Sequence, residues 1–238
     1  MEAPHLYGLD DSFIAQQAGA PAVHRELLPA LIDLQNQAFA AGFKLKVVSG
    51  YRSFDRQLLI WNAKAEGKRP VLDTDGRPLD MAQLDPWQQV QAILRWSALP
   101  GASRHHWGTD IDVYDAGAVA EDYQVNLTRD EVENNGPFAP MHEWLDQQIQ
   151  SNTAFDFFRP YQFDIGGIAP ERWHLSYAPI ASEYQAAWNM DTLIEQLSLK
   201  PLALKSIVIK HIDEIVERYV HVSPALYPAV FQGQVGLV

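Results

Sequence analysis

Cysteine is absent from the 238-residue chain. That absence excludes a disulfide scaffold, thiolate zinc, iron–sulfur clusters and a cysteine nucleophile together. Any metal must then be held by His, Asp and Glu. Basic residues are scarce too: 18 Lys and Arg face 30 Asp and Glu, a formal net charge of −12. Such a balance argues against nucleic acid or an anionic membrane as a general partner. No stretch reaches the ~18 consecutive apolar residues of a membrane span. The start, Met1-Glu2-Ala3-Pro4-His5, lacks the cationic and apolar regions of a signal peptide. The expectation is a soluble chain, cytoplasmic if Met1 is native and periplasmic or envelope-associated if a leader was removed. Gly 14 and Pro 15 are too few for collagen-like or low-complexity sequence. What remains is a folding composition, 47% hydrophobic with 7 Trp, 9 Tyr and 10 Phe, and 8 His are available for chemistry.

Periodicity predicts an α+β protein with few strands. Leu27, Leu28, Leu31, Leu34 and Phe39 lie near helical spacing over residues 23–41, ending at Gly42. Phe43, Leu45 and Val47 alternate with Lys44 and Lys46 as in a half-buried strand. Ser53 is placed to cap a helix through Ala65, and Asp75-Gly76 marks a loop or short hairpin. Asp85-Pro86-Trp87-Gln88 combines a capping Asp, Pro at the first helical position and Gln two residues later, predicting a helix to about Ser97. A short strand is expected around Ile111 to Tyr114, a capped helix at Thr128-x-x-Glu131, a helix over 140–150 and a strand over 173–177. Beyond Ser182 the pattern is helical, with Thr192-x-x-Glu195 as a capping box. Val208, Ile212, Ile215, Val216 and Tyr219 form a last amphipathic stripe. The expected division is a catalytic domain over 1–182 and a helical C-terminal extension over 183–238, packed on the same domain.

Three segments concentrate the chemistry: Ser49-Gly50-Tyr51-Arg52-Ser53, the run from Pro100 to Asp112, and Glu171-Arg172-Trp173-His174-Leu175. Their imidazoles, carboxylates and arginine fall at element ends, where functional residues concentrate. A hydrolytic zinc needs about three protein ligands from His and Asp/Glu, one open position for water, and a nearby unbound carboxylate to take the water's proton. His105, Asp112 and His174 can supply the ligands and Glu171 the base. Spacing alone does not choose between Asp110 and Asp112, because both face the same way on a strand. Asp110 serves either as a ligand or as a partner orienting His105 or His106. His5, His24, His142, His211 and His221 show no partner pattern.

The ordered pattern Ser103-x-His105-x-x-Gly108-x-x-x-Asp112, then Glu171-x-Trp173-His174, resembles the zinc D-Ala-D-Ala carboxypeptidase family of VanY type. That group is related to vancomycin-resistance D,D-dipeptidases, lysostaphin-type peptidases and the hedgehog signalling domain. Ser49-Gly50-Tyr51-Arg52-Ser53 also matches, in order, so the resemblance covers roughly Leu45 to Tyr177. It implies a Hedgehog/DD-peptidase fold, a small antiparallel sheet flanked by helices, with one Zn2+ on His105, Asp112 and His174. It further implies Glu171 as general base and Arg52 as the group that binds or polarises the substrate. Ser103 and Gln57 are candidates for the substrate surface, with Asp110 and His106 behind the metal ligands. Two positions depart from the pattern: Asp110, where the family often has a small residue, and Arg172, where it often has Pro.

The activity expected is hydrolysis of D-Ala-containing peptidoglycan stem peptides by metal-activated water. Within the same chemistry stand an L,D-carboxypeptidase, a D-Ala-D-Ala dipeptidase and a crossbridge endopeptidase, which differ in cleft closure. A different class is a non-catalytic zinc-binding interaction domain, which would have little use for Glu171. The segment from Tyr114 to Gly167, with Asp115, Asp122, Phe155 to Phe158 and Tyr161, is expected to wall the substrate cleft.

Overall fold

A computed structural model describes residues 3–74 and 76–235. It opens with an antiparallel hairpin of β1 (Ile14–Gln17) and β2 (Ala20–His24). Helix α1 (Leu28–Ala40) buries Leu31, Leu34 and Ala38, one face of a 3.6-residue repeat. The chain then reverses through Gly42, whose φ of +93° suits a residue without Cβ. Strand β3 (Leu45–Ser49) leads into α2 (Phe54–Ala65), capped by Ser53 Oγ accepting from the Arg56 amide. Helix α3 (Pro86–Leu94) starts with the full capping box of Asp85 and Gln88. Strand β4 (Asp110–Asp115), α4 (Arg129–Val132) and α5 (Ala139–Gln150) follow, then β5 (Phe157–Phe158) and β6 (His174–Tyr177). Helices α6 (Ala178–Ala187), α7 (Met190–Leu199), α8 (Lys205–Lys210) and α9 (Ile212–Tyr219) complete the described chain.

The main sheet is antiparallel throughout, in the order β3-β4-β6-β5. This is the α+β architecture of a small antiparallel sheet flanked by helices. Strand β4 lies between two neighbours, and its side chains divide by parity. Ile111 and Val113 enter an apolar cluster with Leu31, Leu34, Leu145 and Leu175. Asp110 and Asp112 point to the opposite face and are almost fully buried. A larger cluster joins Trp61 and Val90 of α2 and α3 to Leu193, Val208 and Ile215 of α7 to α9, so residues before and after 182 share one core.

Several details differ from the periodicity. Residues 20–24 are strand, because they pair with β1 instead of extending α1. Phe39 is 79% exposed despite its helical spacing. Helix α3 ends at Leu94, short of Ser97. Helix α6 begins at Ala178, before Ser182, and α7 is capped by Asn189, which leaves Thr192 inside the helix. The stripe from Val208 to Tyr219 is two helices broken at His211, whose ring stacks on Trp87 at 4.1 Å. A single antiparallel bridge, Leu72 to Pro78, spans the expected hairpin, whose Asp75 lies outside the described residues. Among the described residues no helix is long and apolar enough to cross a membrane.

Candidate metal centre

Two neighbouring strands and one turn build the site. Asp112 of β4 is the direct cross-strand partner of His174 at the start of β6. His105 arrives from a short 3-10 turn, residues 104–107, that Gly108 terminates at φ +67°. A Cβ on Gly108 would stand 2.6 Å from Ile14 Cδ1 and 2.8 Å from the His24 amide nitrogen, so only glycine fits this close turn. One ligand atom each from His105, Asp112 and His174 lies within 4.8 Å of the others, and all three residues are buried.

Hydrogen bonds on the far side of each imidazole fix its tautomer. His174 Nε2–H donates to Asp110 Oδ1 at 2.9 Å, leaving the Nδ1 lone pair turned to Asp112. His105 Nδ1–H is shared between the carbonyls of Gly50 (2.9 Å) and Asp110 (3.1 Å), which leaves Nε2 free. That nitrogen lies 3.4 Å from Asp112 Oδ2, and His174 Nδ1 lies 3.2 Å from Asp112 Oδ1. Both Asp112 Oδ1 and His174 Nδ1 are buried without a hydrogen-bond partner in the protein. Buried polar atoms seldom go unsatisfied, so two unpartnered polar atoms facing each other mark a place that a proton or a metal ion can fill.

The electrostatics agree with that assignment. Burial drives His105 down to about 4, Arg52 and His174 adding to the shift against the pull of Asp112, so the imidazole is neutral. Burial opposes charge on His174, but Asp110, Asp112 and Glu171 outweigh it and lift its pKa well above the imidazole range. Without a metal, a proton occupies Nδ1. Burial also works against Asp112 and Asp110, yet both are held below the usual carboxylate range, Asp112 by His105 and His174, Asp110 chiefly by Arg104.

Glu171 precedes β6 in a tight turn in which the His174 amide donates to the Glu171 carbonyl. Its Oε2 lies 3.5 Å from His174 Nδ1. Burial raises its pKa, as does Asp112, against the opposing pull of His174 and Arg52. Arg52 is held by Gln57 Oε1 (2.8 Å) and Ser49 Oγ (3.3 Å), and its backbone amide donates to the His105 carbonyl. Arg52, Ser103, Glu171 and the three candidate ligands line one cleft of about 250 Å³.

Other expected residues fall elsewhere. Gln57 is fully buried behind Arg52, its amide donating to the Ala98 carbonyl, and it does not line the cleft. His106 takes the Gly101 amide on Nε2 and donates from Nδ1 to the Arg52 carbonyl, beneath the arginine's backbone. The five histidines given no role lie outside the cleft. Arg172 turns away to Asp146 and the Val132 carbonyl, fastening the Glu171 turn to α4 and α5. Of the 114–167 segment, Asn126, Leu127 and Tyr161 line the cleft. Phe157 and Phe158 are core instead, and Asp115 binds the Lys44 and Gly117 amides.

The structure adds residues that the motifs do not name. Lys64 of α2 lines the cleft and donates to Ser97 Oγ at 2.7 Å. Burial lowers its pKa to about 8, Arg69 adding to the effect against Glu171. Its position in the last turn of α2, where a lysine is ordinary, and outside any motif, offered no signal. Arg104 stands unnamed inside the Ser103–Asp112 pattern, yet it is 2% exposed and pairs with Asp110 at 2.8 Å.

Two imidazoles and a carboxylate converge beneath the cleft with the Glu171 carboxylate beside them, a set that could hold a metal ion. Residues 20–180, which are 161 of 238, match the family model VanY, D-alanyl-D-alanine carboxypeptidase, and the chain belongs to that family of peptidases. An uncharacterised protein of Haemophilus influenzae is 56% identical over 74 residues, 31% of this chain and 51% of that protein. A D-alanyl-D-alanine carboxypeptidase of Enterococcus faecalis is 27% identical over 173 residues, 71% of this chain and 53% of that one. The chain thus spans about half the length of these two relatives. A solved structure of VanYB in complex with D-Alanine-D-Alanine is 23% identical, with a TM-score of 0.49 over 76% of this chain and 87% of that chain.

Proposed function

We propose that the protein is a zinc-dependent carboxypeptidase that removes D-Ala from peptidoglycan stem peptides, with Glu171 as general base. The observation that carries this reading is the pair of buried, unpartnered atoms His174 Nδ1 and Asp112 Oδ1, which face each other beside the free Nε2 of His105. A set of two imidazoles and one carboxylate with an open side fits zinc. When bound, zinc supplies a Lewis acid that polarises the scissile carbonyl and lowers the pKa of water.

The remaining steps belong to the chain. Glu171, desolvated and raised in pKa, takes the attacking water's proton and returns it to the leaving amine. Arg52, fixed by Gln57 and Ser49, presents its remaining N–H groups to the developing oxyanion or to the substrate carboxylate. Lys64 adds a second cation to the same wall and Ser103 a hydroxyl. Gln57 acts through Arg52, and Asp110 keeps His174 in the ligating tautomer. A carboxylate desolvated beside His174 favours an enzyme over a non-catalytic zinc-binding domain, since burial of an unused carboxylate only costs stability.

The test is incubation of zinc-loaded protein with muropeptides bearing penta-, tetra- and tripeptide stems, followed by mass spectrometry. Loss of one D-Ala from the pentapeptide alone is expected. Cleavage of the tetrapeptide selects an L,D-carboxypeptidase, release of D-Ala-D-Ala a dipeptidase, and cleavage of crossbridged dimers an endopeptidase. No cleavage of any stem by zinc-loaded protein overturns the reading.

A further inference from the structure

We propose that the C-terminal stretch tunes the affinity of the metal centre, through buried hydrogen bonds running from Tyr227 and Gln185 to Arg104, then Asp110, then His174. The inference rests on the zinc reading above and adds residues that lie outside the 20–180 match to the family model.

Each link is short and buried. Asp110 Oδ1 accepts both from His174 Nε2 (2.9 Å) and from Arg104 Nε (2.8 Å). Its other oxygen accepts from Thr109 Oγ1 (2.8 Å) and Ser176 Oγ (3.1 Å). Arg104 Nη2 donates to Ser176 Oγ at 2.7 Å, and Nη1 to Gln185 Oε1 and to Tyr227 OH, both at 3.0 Å. Tyr227 OH in turn donates to Gln185 Oε1 at 3.0 Å, and Gln185 Nε2 to the Val222 carbonyl at 2.7 Å. Each of the three guanidinium nitrogens of Arg104 therefore has a partner, and the Trp107 ring lies 4.6 Å from its central carbon.

The direction of influence follows from donor bookkeeping. Asp110 keeps a proton on His174 Nε2, so Nδ1 is the nitrogen left to meet a metal ion. Arg104 holds Asp110 ionised and oriented, and a buried guanidinium stays in place only while acceptors meet its N–H groups. Ser176, two positions after His174 on β6 and directly opposite Asp110, supplies one acceptor. Gln185 and Tyr227, 81 and 123 positions from Arg104 in sequence, supply the others. The Tyr227 hydroxyl after α9 and the Gln185 amide of α6 are thus linked to a candidate metal ligand through Arg104 and Asp110. Tyr227 and Gln185 are positioning residues, and neither lines the cleft.

The experiment measures zinc dissociation constants by chelator competition for the full chain and for Tyr227→Phe and Gln185→Met, both close in shape to the original. Circular dichroism and thermal unfolding of the metal-free forms establish that each variant is folded. Removing an outer partner of a metal ligand weakens binding about 10–100-fold, and for Tyr227 and Gln185, two steps further out, about threefold to tenfold is expected. Ser182→Ala, which cuts a contact to Gln234 off this path, is expected to leave zinc affinity unchanged. Combined with Asp110→Asn, Tyr227→Phe should add less than its own factor, since the path is already broken. Wild-type affinity in both folded variants would overturn the coupling while leaving the zinc reading intact. Failure of the wild-type chain itself to take up zinc would overturn both.

Discussion

Replacing Glu171 with glutamine isolates the proton-transfer step. The side chain is 14% exposed, its Oε2 lies 3.5 Å from His174 Nδ1, and it is not one of the three converging donors. Glutamine keeps the volume and one carbonyl oxygen but cannot accept a proton at neutral pH. General-base catalysis is worth about 10²–10⁴ in rate, which is about 2.7–5.5 kcal/mol of barrier. Glu171→Gln is therefore expected to retain one zinc per chain while kcat for D-Ala release falls by that factor with KM little changed. Elemental analysis gives the first quantity and an amino-acid release assay the second. The metal-free fold provides an independent sign. Burial raises the Glu171 pKa, so its ionised form costs stability above that pKa and the cost vanishes as pH falls below the unfolded value. Metal-free Glu171→Gln is expected to be more stable than wild type at neutral pH and equal to it in acid. A fully zinc-loaded Glu171→Gln enzyme with near-normal turnover would refute the assignment of the base.

Two further outcomes follow from the same geometry. His174 carries a proton in the metal-free protein because its pKa is lifted well above the ordinary 6.5, and metal binding must displace that proton. Apparent zinc affinity is expected to rise about tenfold per pH unit between pH 6 and the His174 pKa, and a flat titration would contradict the donor assignment. Gly108→Ala would force a Cβ against Ile14 and the His24 amide at a positive φ. Such strain costs on the order of 1–3 kcal/mol, so a lowered urea midpoint together with weaker zinc binding is expected; wild-type values for both would sink this account.

Local signals were legible in the sequence. The caps at Ser53, Asp85 and Thr128 each satisfy amides within three residues, so helix starts could be read without the rest of the chain. Asn189 shows the limit: it and Thr192 are both competent caps, and tertiary packing decides where α7 begins. The break at His211 is likewise non-local, since its stacking partner Trp87 is 124 positions away, from 211 − 87. At the site, strand alternation placed Asp110 and Asp112 on one face but could not rank them. Their ranking depends on Arg104, which draws Asp110 inward to His174 Nε2, and on the register that sets Asp112 directly opposite His174. Lys64 stayed invisible because nothing in its helix distinguishes a cleft-facing lysine from a solvated one.

The pairing of Asp112 with His174 carries a consequence for how the protein matures. The two positions are 174 − 112, or 62, residues apart, and they meet only when β6 has closed against β4 in a single register. A slip of one residue would turn His174 into the apolar cluster around Ile111 and Val113 and leave Leu175 facing the carboxylates. Growing chains that end before β6 therefore hold His105 and Asp112 but no complete centre. The set of three converging side chains is thus completed late in synthesis, as a property of the closed sheet and not of any one segment.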